Sequence, residues 1–144
     1  MAVPRPLEQP TPPSGALCVL IVEDNAADAM IAAAAVARAA SGPYVLMRAE
    51  SLAQALDLIR EHGADMVLMD LNLPDSRGIE SLERVRAATA SPVIVVTTED
   101  AAGLDEAALA AGAFDILHKG RIDVEAIAAL LRLAEKQRRA RNGQ

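Results

Sequence analysis

MVLMDLNLPDSRG, residues 66–78, runs from four consecutive apolar residues into an aspartate and then into a short polar loop. An uninterrupted apolar run of this length is typical of a strand buried on both faces, as in a parallel sheet. Asp70 ends the run, and a strand-end aspartate is most often a capping or turn residue. Whether Asp70 is instead a reactive group depends on what the other strands carry at their ends.

Five short apolar runs alternate with longer helical patterns along the chain. The predicted strands cover residues 16–22, 44–49, 66–69, 92–96 and 114–118. Asn25 and Ser51 are the predicted N-caps of the first two helices, and the last helix is predicted over residues 123–139. This (βα)5 pattern predicts a doubly wound α/β fold of the flavodoxin-like, CheY-like type, with a parallel sheet in the order 2-1-3-4-5. A ligand crevice is expected at the carboxyl ends of strands 1 and 3.

Composition indicates a single soluble domain. The chain has 144 residues, a net charge of -6 and no apolar stretch of membrane-spanning length, and its start lacks the apolar core of a signal peptide. We divide it into a Pro-rich leader (1–15), one domain (16–136) and a basic tail (137–144). Cys18 is the only cysteine, which fits a cytoplasmic location. The acidic balance and the scarcity of aromatic residues argue against DNA binding.

Polar and charged residues follow four of the five predicted strands. They are Glu23 and Asp24 after strand 1, Asp70 after strand 3, Thr97 and Thr98 after strand 4, and Lys119 after strand 5. In the predicted order these four strands are neighbours, so the residues converge on one edge of the sheet. Residues 48–50, at the end of the second strand, contribute nothing recognisable.

These residue types together suit phosphoryl chemistry on a carboxylate. Clustered carboxylates repel one another unless a cation lies among them, and oxygen ligands without His or Cys favour Mg²⁺. Lys119, one of only two lysines, adds a compact positive charge, and Thr97 adds a hydroxyl donor. An aspartyl phosphate needs a carboxylate nucleophile, a metal and donors for the phosphoryl oxygens.

Over residues 16–136 the chain resembles the receiver domain of bacterial two-component response regulators. The matching segments, each at a strand end, are VLIVEDN (19–25), MVLMDLNLPDSRG (66–78), PVIVVTTED (92–100) and GAFDILHKG (112–120). The resemblance implies that Asp70 accepts a phosphoryl group from a sensor histidine kinase or a phosphotransfer protein. It further implies that Mg²⁺ is bound by Asp24, Asp70 and the backbone carbonyl of Asn72, with Glu23 acting through a water.

The resemblance also assigns the phosphoryl contacts and the output. Thr97, Lys119 and the backbone N–H of Thr98 would contact the phosphoryl oxygens, and phosphorylation would bias the face of helix 4, strand 5 and helix 5 towards a downstream protein partner. Ile116 stands at the switch position where the family usually has an aromatic residue, so we expect the read-out of this chain to differ there. We expect a non-enzymatic, single-domain regulator with no DNA-binding domain and no membrane segment, as a monomer or a weak homodimer.

Other functions were weighed against this one. Haloacid-dehalogenase-like phosphohydrolases carry their nucleophile in a D-x-D motif after strand 1, where this chain has Glu23-Asp24-Asn25. A flavodoxin-like electron carrier needs a phosphate-binding loop and flanking aromatics, which are missing. A degenerate receiver acting only as a binding module stays open.

The arginine-rich C-terminal run is a second open question. Its cations are Arg132, Lys136, Arg138, Arg139 and Arg141. The plain interpretation is a solvated, fraying helix end whose cations the helix dipole favours. The alternative is a site for an anion such as a cyclic dinucleotide, which is disfavoured because no aromatic residue accompanies the arginines in the sequence.

Overall fold

The computed structural model describes residues 15–98 and 103–141. Numbered in chain order, the strands of the main sheet are β1 Leu17–Val22, β2 Tyr44–Ala49, β3 Met66–Met69, β6 Val93–Thr97 and β7 Asp115–His118. A small antiparallel ribbon is formed by β4 Asn72–Leu73 and β5 Ser76–Arg77. The helices are α1 Ala26–Ala39, α2 Leu52–His62, α3 Ile79–Ala88, α4 Leu104–Ala110 and α5 Val124–Arg141.

The main sheet has the order β2-β1-β3-β6-β7, and every adjacent pair is parallel. This is the predicted 2-1-3-4-5 order, so the doubly wound flavodoxin-like fold is confirmed. The register pairs Val22 with Met69 at the ends of β1 and β3. The residues that follow these two strands are therefore side by side at the carboxyl edge.

Alternate residues of each strand fill two separate cores. Leu20 and Val67 belong to the core beneath α2, α3 and α4, whereas Val19, Ile21 and Met66 belong to the core beneath α1 and α5. Because successive side chains of a strand point to opposite faces, a strand covered on both sides must be apolar throughout. This explains the uninterrupted apolar runs of the sequence.

Helix caps fix where the site residues lie relative to the sheet. The side chain of Asn25 accepts from the N–H of Asp28 at 2.9 Å, and that of Ser51 accepts from the N–H of Gln54 at 3.1 Å, as predicted. The cap at Asn25 starts α1 immediately after Glu23 and Asp24. The first turn of α1 is thereby held over the carboxyl edge of the sheet.

Several local features differ from the sequence-based expectations. The segment after Asp70, expected to be a loop, contains the β4–β5 ribbon. Met30, an apolar residue of α1, is 72% exposed instead of buried. Helix α5 extends to Arg141, past the predicted end at residue 139. The predicted leader lies outside the described residues except for Gly15. Within the described part of the chain, the helices are too short or too polar to cross a bilayer.

Candidate functional site

Three carboxylates meet at the carboxyl edge of the sheet. Glu23 and Asp24 follow β1, Asp70 follows β3, and each offers one carboxylate oxygen within 4.8 Å of the others. Glu23 is buried, Asp70 is half-buried and Asp24 is exposed, so the cluster is open to solvent on one side. An all-oxygen set with one open side fits Mg²⁺, which keeps several waters when it binds to proteins. The residues present therefore fit the expected ion.

Lys119 is the cation at the centre of this cluster. Its Nζ lies 2.6 Å from Oε1 of Glu23 and 2.8 Å from Oδ2 of Asp70, and its side chain is 12% exposed. The backbone N–H of Lys119 donates to the carbonyl of Thr97 at 3.0 Å, which carries the β6–β7 pairing one residue beyond the strand end. Burial alone would lower the pKa of Lys119, but the hydrogen bonds to its carboxylate partners outweigh it and raise that pKa. The ammonium therefore stays charged at any physiological pH.

Asp28 is a third partner of Lys119 that the sequence analysis missed. Its Oδ2 lies 2.9 Å from Nζ, and its side chain is one-third exposed. The residue lies in the first turn of α1, three positions after the N-cap Asn25. A carboxylate in the first turn of the helix that follows Glu23-Asp24 was the available signal, because that turn must sit above the sheet edge.

The remaining oxygens of Glu23 and Asp70 accept hydrogen bonds from the backbone. The N–H of Asn25 donates to Oε2 of Glu23 at 3.1 Å, and the N–H of Asn72 donates to Oδ1 of Asp70 at 2.9 Å. Burial raises the pKa of Glu23, and the nearby charge of Asp70 raises it further, against the lowering effect of Lys119 and the Asn25 N–H. Both carboxylates are thus held in fixed orientations before any ligand arrives.

The residues expected to contact the phosphoryl group lie along the same edge. Thr97 is buried at the end of β6, the strand next to β3, and Thr98 follows it as an exposed residue. Ile116 is half-buried in β7 and packs against the core beneath α2, α3 and α4. The ligand roles of Thr97, Thr98 and the Asn72 carbonyl remain predictions, as does the switch role of position 116.

The end of β2 does contribute to the site, contrary to the sequence analysis. The guanidinium of Arg48 donates to the backbone carbonyl of Glu23 from Nε at 3.2 Å and from Nη2 at 3.1 Å. Nη2 also donates to the carbonyl of Asp24 at 3.2 Å. A side chain on the edge strand thus reaches the backbone of both acidic residues. Sequence inspection could not anticipate this, because the contact depends on the β1–β2 register.

Asp75, in the ribbon after Asp70, ties the site loop to helix α2. Its Oδ1 accepts from the N–H of Leu52 at 2.8 Å and its Oδ2 from the N–H of Ala53 at 2.9 Å. These two N–H groups belong to the first turn of α2 and have no partner within the helix. Their hydrogen bonds lower the pKa of Asp75.

A groove of about 820 Å³ lies at the opposite end of the molecule, between α5 and the start of β2. Tyr44, Arg132, Lys136 and Arg139 are among its lining residues. No aromatic residue lies near these cations in the sequence, but the fold brings Tyr44 into the same groove from far along the chain.

The interpretation of the tail as a fraying, solvated helix end is also wrong for two of its arginines. Arg138 donates to the carbonyl of Gly15 at 2.7 Å, and Arg141 pairs with Asp65 at 2.7 Å. These two contacts hold the end of α5 against the start of the sheet.

Fold and site together define a flavodoxin-like domain with an acidic, lysine-containing site at the carboxyl edge of its sheet. The chain belongs to the response regulator receiver domain family of two-component systems, whose model matches residues 19–132. In the rice Oryza sativa subsp. japonica, the two-component response regulator ORR41 is 36% identical over 104 residues, which cover 70% of this chain and 81% of that protein.

Other similarities concern a part of a larger protein or the fold alone. A protein-glutamate methylesterase/protein-glutamine glutaminase from Cupriavidus pinatubonensis is 40% identical over 70 residues, 49% of this chain and 19% of that protein. The chain thus spans about a fifth of that relative's length. The receiver domain of an HD domain-containing protein from Pseudomonas fluorescens Pf-5 superposes with a TM-score of 0.75 at 20% identity, covering 93% of this chain and 97% of that one.

Proposed function

We propose that the chain is a phospho-accepting receiver in which Asp70 takes a phosphoryl group from a sensor histidine kinase or a phosphotransfer protein. The observation that carries this proposal is the position of Asp70, with Lys119 Nζ 2.8 Å away and two further carboxylates within metal-binding distance. This arrangement supplies a nucleophile, a cation for the incoming charge and a place for a divalent ion. Membership of the receiver family supports this proposal.

The transfer is a displacement at phosphorus. An oxygen of the ionised Asp70 carboxylate forms the new P–O bond, the P–N bond of the donor phosphohistidine breaks, and the imidazole leaves with the electron pair. Asp70 needs no base, because it reacts as the carboxylate. Asp24, Asp70 and the backbone carbonyl of Asn72 would hold Mg²⁺, with Glu23 acting through a water, and the ion would neutralise part of the phosphoryl charge.

Lys119, Thr97 and the backbone N–H of Thr98 would hold the phosphoryl oxygens. Lys119 must exchange at least one carboxylate partner for a phosphoryl oxygen, so phosphorylation redistributes charge at the end of β7. We propose that this change biases the face of α4, β7 and α5 towards a downstream protein partner. With Ile116 in place of an aromatic residue, that change proceeds without a ring moving inward.

The wider role is part of the same proposal. The chain serves as a phosphoryl acceptor with autodephosphorylation and not as an enzyme with its own substrate, in the cytoplasm and as a monomer or weak homodimer. The methylesterase named above is matched over only about a fifth of its length.

Exposed Met30 and Ile31, on the helix that carries Asp28, offer an apolar surface beside the site for a protein donor.

Intact-mass measurement tests the proposal. The chain is incubated with acetyl phosphate and Mg²⁺, and we expect one phosphoryl adduct that requires Mg²⁺ and is lost at high pH. Asp70→Asn should show no adduct, whereas Asp57→Asn, an exposed acid on α2, should match the wild type. Absence of the adduct in protein that still binds Mg²⁺ and receives no phosphoryl group from phosphohistidine donors would instead favour a degenerate receiver that signals by binding.

The groove on α5 favours a second candidate function. Tyr44 together with Arg132, Lys136 and Arg139 could hold an anion with a planar body, such as a cyclic dinucleotide. Calorimetric titration with cyclic di-GMP tests it, with Lys136→Ala and Tyr44→Leu as variants and Arg60→Ala, on α2, as the charge-matched control. Binding that both groove variants weaken supports this function, and absence of binding at millimolar ligand removes it.

A further inference from the structure

Arg48 holds the backbone that carries two carboxylates of the proposed metal site, Glu23 and Asp24. Its guanidinium makes two hydrogen bonds to the Glu23 carbonyl and one to the Asp24 carbonyl, all between 3.1 and 3.2 Å. The side chain is 36% exposed, and its Nη2 also lies 3.8 Å from the carboxylate of Glu50. The guanidinium does not belong to the acidic cluster itself.

These carbonyls lie where regular structure ends. The last residue of β1 that pairs with β3 is Val22, whose carbonyl accepts from the N–H of Asp70 at 3.0 Å. The N–H of Glu23 still donates to the carbonyl of Ala49 on β2, and α1 begins only at Ala26. Between those points a side chain from β2 takes the place of a strand partner. Without it, the carbonyls of Glu23 and Asp24 would lose these hydrogen bonds, which help to orient their peptide planes.

Arginine suits this task better than lysine. A planar guanidinium offers several N–H donors in fixed directions, so one group can serve two successive carbonyls. An ammonium is a point charge on a flexible stem and fixes direction less well. Orientation matters here because the Glu23 and Asp24 side chains must both face Asp70 across the β1–β3 boundary.

We infer that Arg48 is a positioning residue for the proposed metal site, and that it sets the Mg²⁺ affinity by fixing the Glu23–Asp24 backbone without contacting the ion. The inference rests on the proposed function and adds a residue to it. Groups that orient metal ligands typically change metal affinity by about 10- to 100-fold when they are removed.

The sign of the change separates positioning from simple charge. Arg48→Met keeps the apolar stem and removes a positive charge near an acidic site. By Coulomb's law alone, the ion should then bind more tightly. Loss of positioning predicts the opposite, a roughly tenfold weaker Mg²⁺ affinity. Arg48→Lys keeps the charge but loses the planar guanidinium. Its Mg²⁺ affinity should lie between those of Arg48→Met and the wild type.

Isothermal titration with Mg²⁺ decides between these outcomes. Arg60→Met, on α2 and paired with Asp57, is the control for loss of an exposed arginine and should stay within twofold of the wild type. The free energy of unfolding in EDTA is measured for each variant, because a purely structural role would lower it while leaving the Mg²⁺ affinity of the folded protein unchanged. If Arg48→Met proves unfolded, Arg48→Lys and Arg48→Gln carry the same comparison.

Each result has a definite meaning. Unchanged or tighter Mg²⁺ binding by a folded Arg48 variant overturns the positioning role and leaves the metal site intact. Failure of the wild type itself to bind Mg²⁺ overturns the proposed metal site and the role of Arg48 with it. Weaker Mg²⁺ binding in Arg48→Met, partly restored in Arg48→Lys, supports both the proposed metal site and the positioning role of Arg48.

Discussion

The ammonium of Lys119 lies 2.9 Å from Oδ2 of Asp28, a carboxylate that the first turn of α1 carries over the sheet edge. The same ammonium contacts Glu23 and Asp70, two residues of the proposed metal cluster. A divalent ion and Lys119 therefore compete for the same carboxylates. Asp28 is outside that cluster, so it can keep its ion pair with Lys119 when the ion binds at the carboxylates of Glu23 and Asp70.

Replacing Asp28 should weaken Mg²⁺ binding. In Asp28→Asn, Lys119 keeps charged partners only in Glu23 and Asp70, and the site also loses one negative charge. Both effects disfavour the ion, and we expect its dissociation constant to rise by about two- to fivefold, roughly 0.5–1 kcal/mol. Calorimetric titration measures this constant. The control Asp57→Asn removes an equal charge far from the site and should leave it unchanged; an equal effect in both variants would contradict the role given to Asp28.

The end of α5 should contribute less to stability than the carboxylate on which it docks. Asp65 accepts from the backbone N–H of Cys18 at 2.8 Å as well as from Arg141. Asp65→Ala leaves that N–H without its acceptor and should cost about 1–3 kcal/mol. Arg141→Ala removes a half-exposed ion-pair partner and should cost at most about 1 kcal/mol. Urea unfolding measures both, and equal losses would show that the Cys18 bond matters little.

Residues that the topology alone determines could be predicted from the sequence. Strands buried on both faces show as apolar runs, and a parallel order places Glu23, Asp24, Asp70 and Lys119 at one edge whatever the details of packing. The structure brings Glu23, Asp70 and Lys119 into direct contact through the Lys119 ammonium and places Asp24 in the same cluster. These positions could be predicted because they depend only on the order of the strands and on the residue that follows each strand.

The residues it missed act between elements. Arg48 reaches Glu23 only through the β1–β2 register, and Tyr44 lies near the tail cations only because the start of β2 and helix α5 line the same groove. Met30 shows the limit of residue type, because its apolar side chain faces away from both cores. Contacts that a side chain makes with a neighbouring element leave no periodic pattern in the sequence, so they could not be predicted from it.

Asp75 should make the stability of α2 depend on pH in the acidic range. Hydrogen bonds from Leu52 and Ala53 hold its pKa below the ordinary 3.8, so its contribution is fully present above that value. It is lost as the pH falls through the lower pKa of the folded state. The difference in unfolding free energy between the wild type and Asp75→Ala should therefore shrink between pH 5 and pH 2. Ser51→Ala removes a neutral cap of the same helix, and its cost should stay constant over that range.

Cys18 should make the protein less stable in alkali. Burial, and after it the charge of Asp65, raises the pKa of the thiol from the ordinary 9.0 to about 11. Between these values the folded chain keeps a proton that the unfolded chain has released, so the free energy of unfolding falls as the pH rises. From pH 8.5 to pH 10 this amounts to about 1 kcal/mol.

Comparison with Cys18→Ala isolates that term. The variant loses some stability at every pH because a buried group is removed, but other titrating groups are common to both proteins and cancel in the difference. The gap in unfolding free energy between wild type and variant should therefore narrow as the pH rises from 8.5 to 10. A gap that stays constant would mean that the thiol ionises alike in the folded and unfolded chains. Burial independently predicts that a thiol reagent at pH 9 labels the native protein much more slowly than the denatured one.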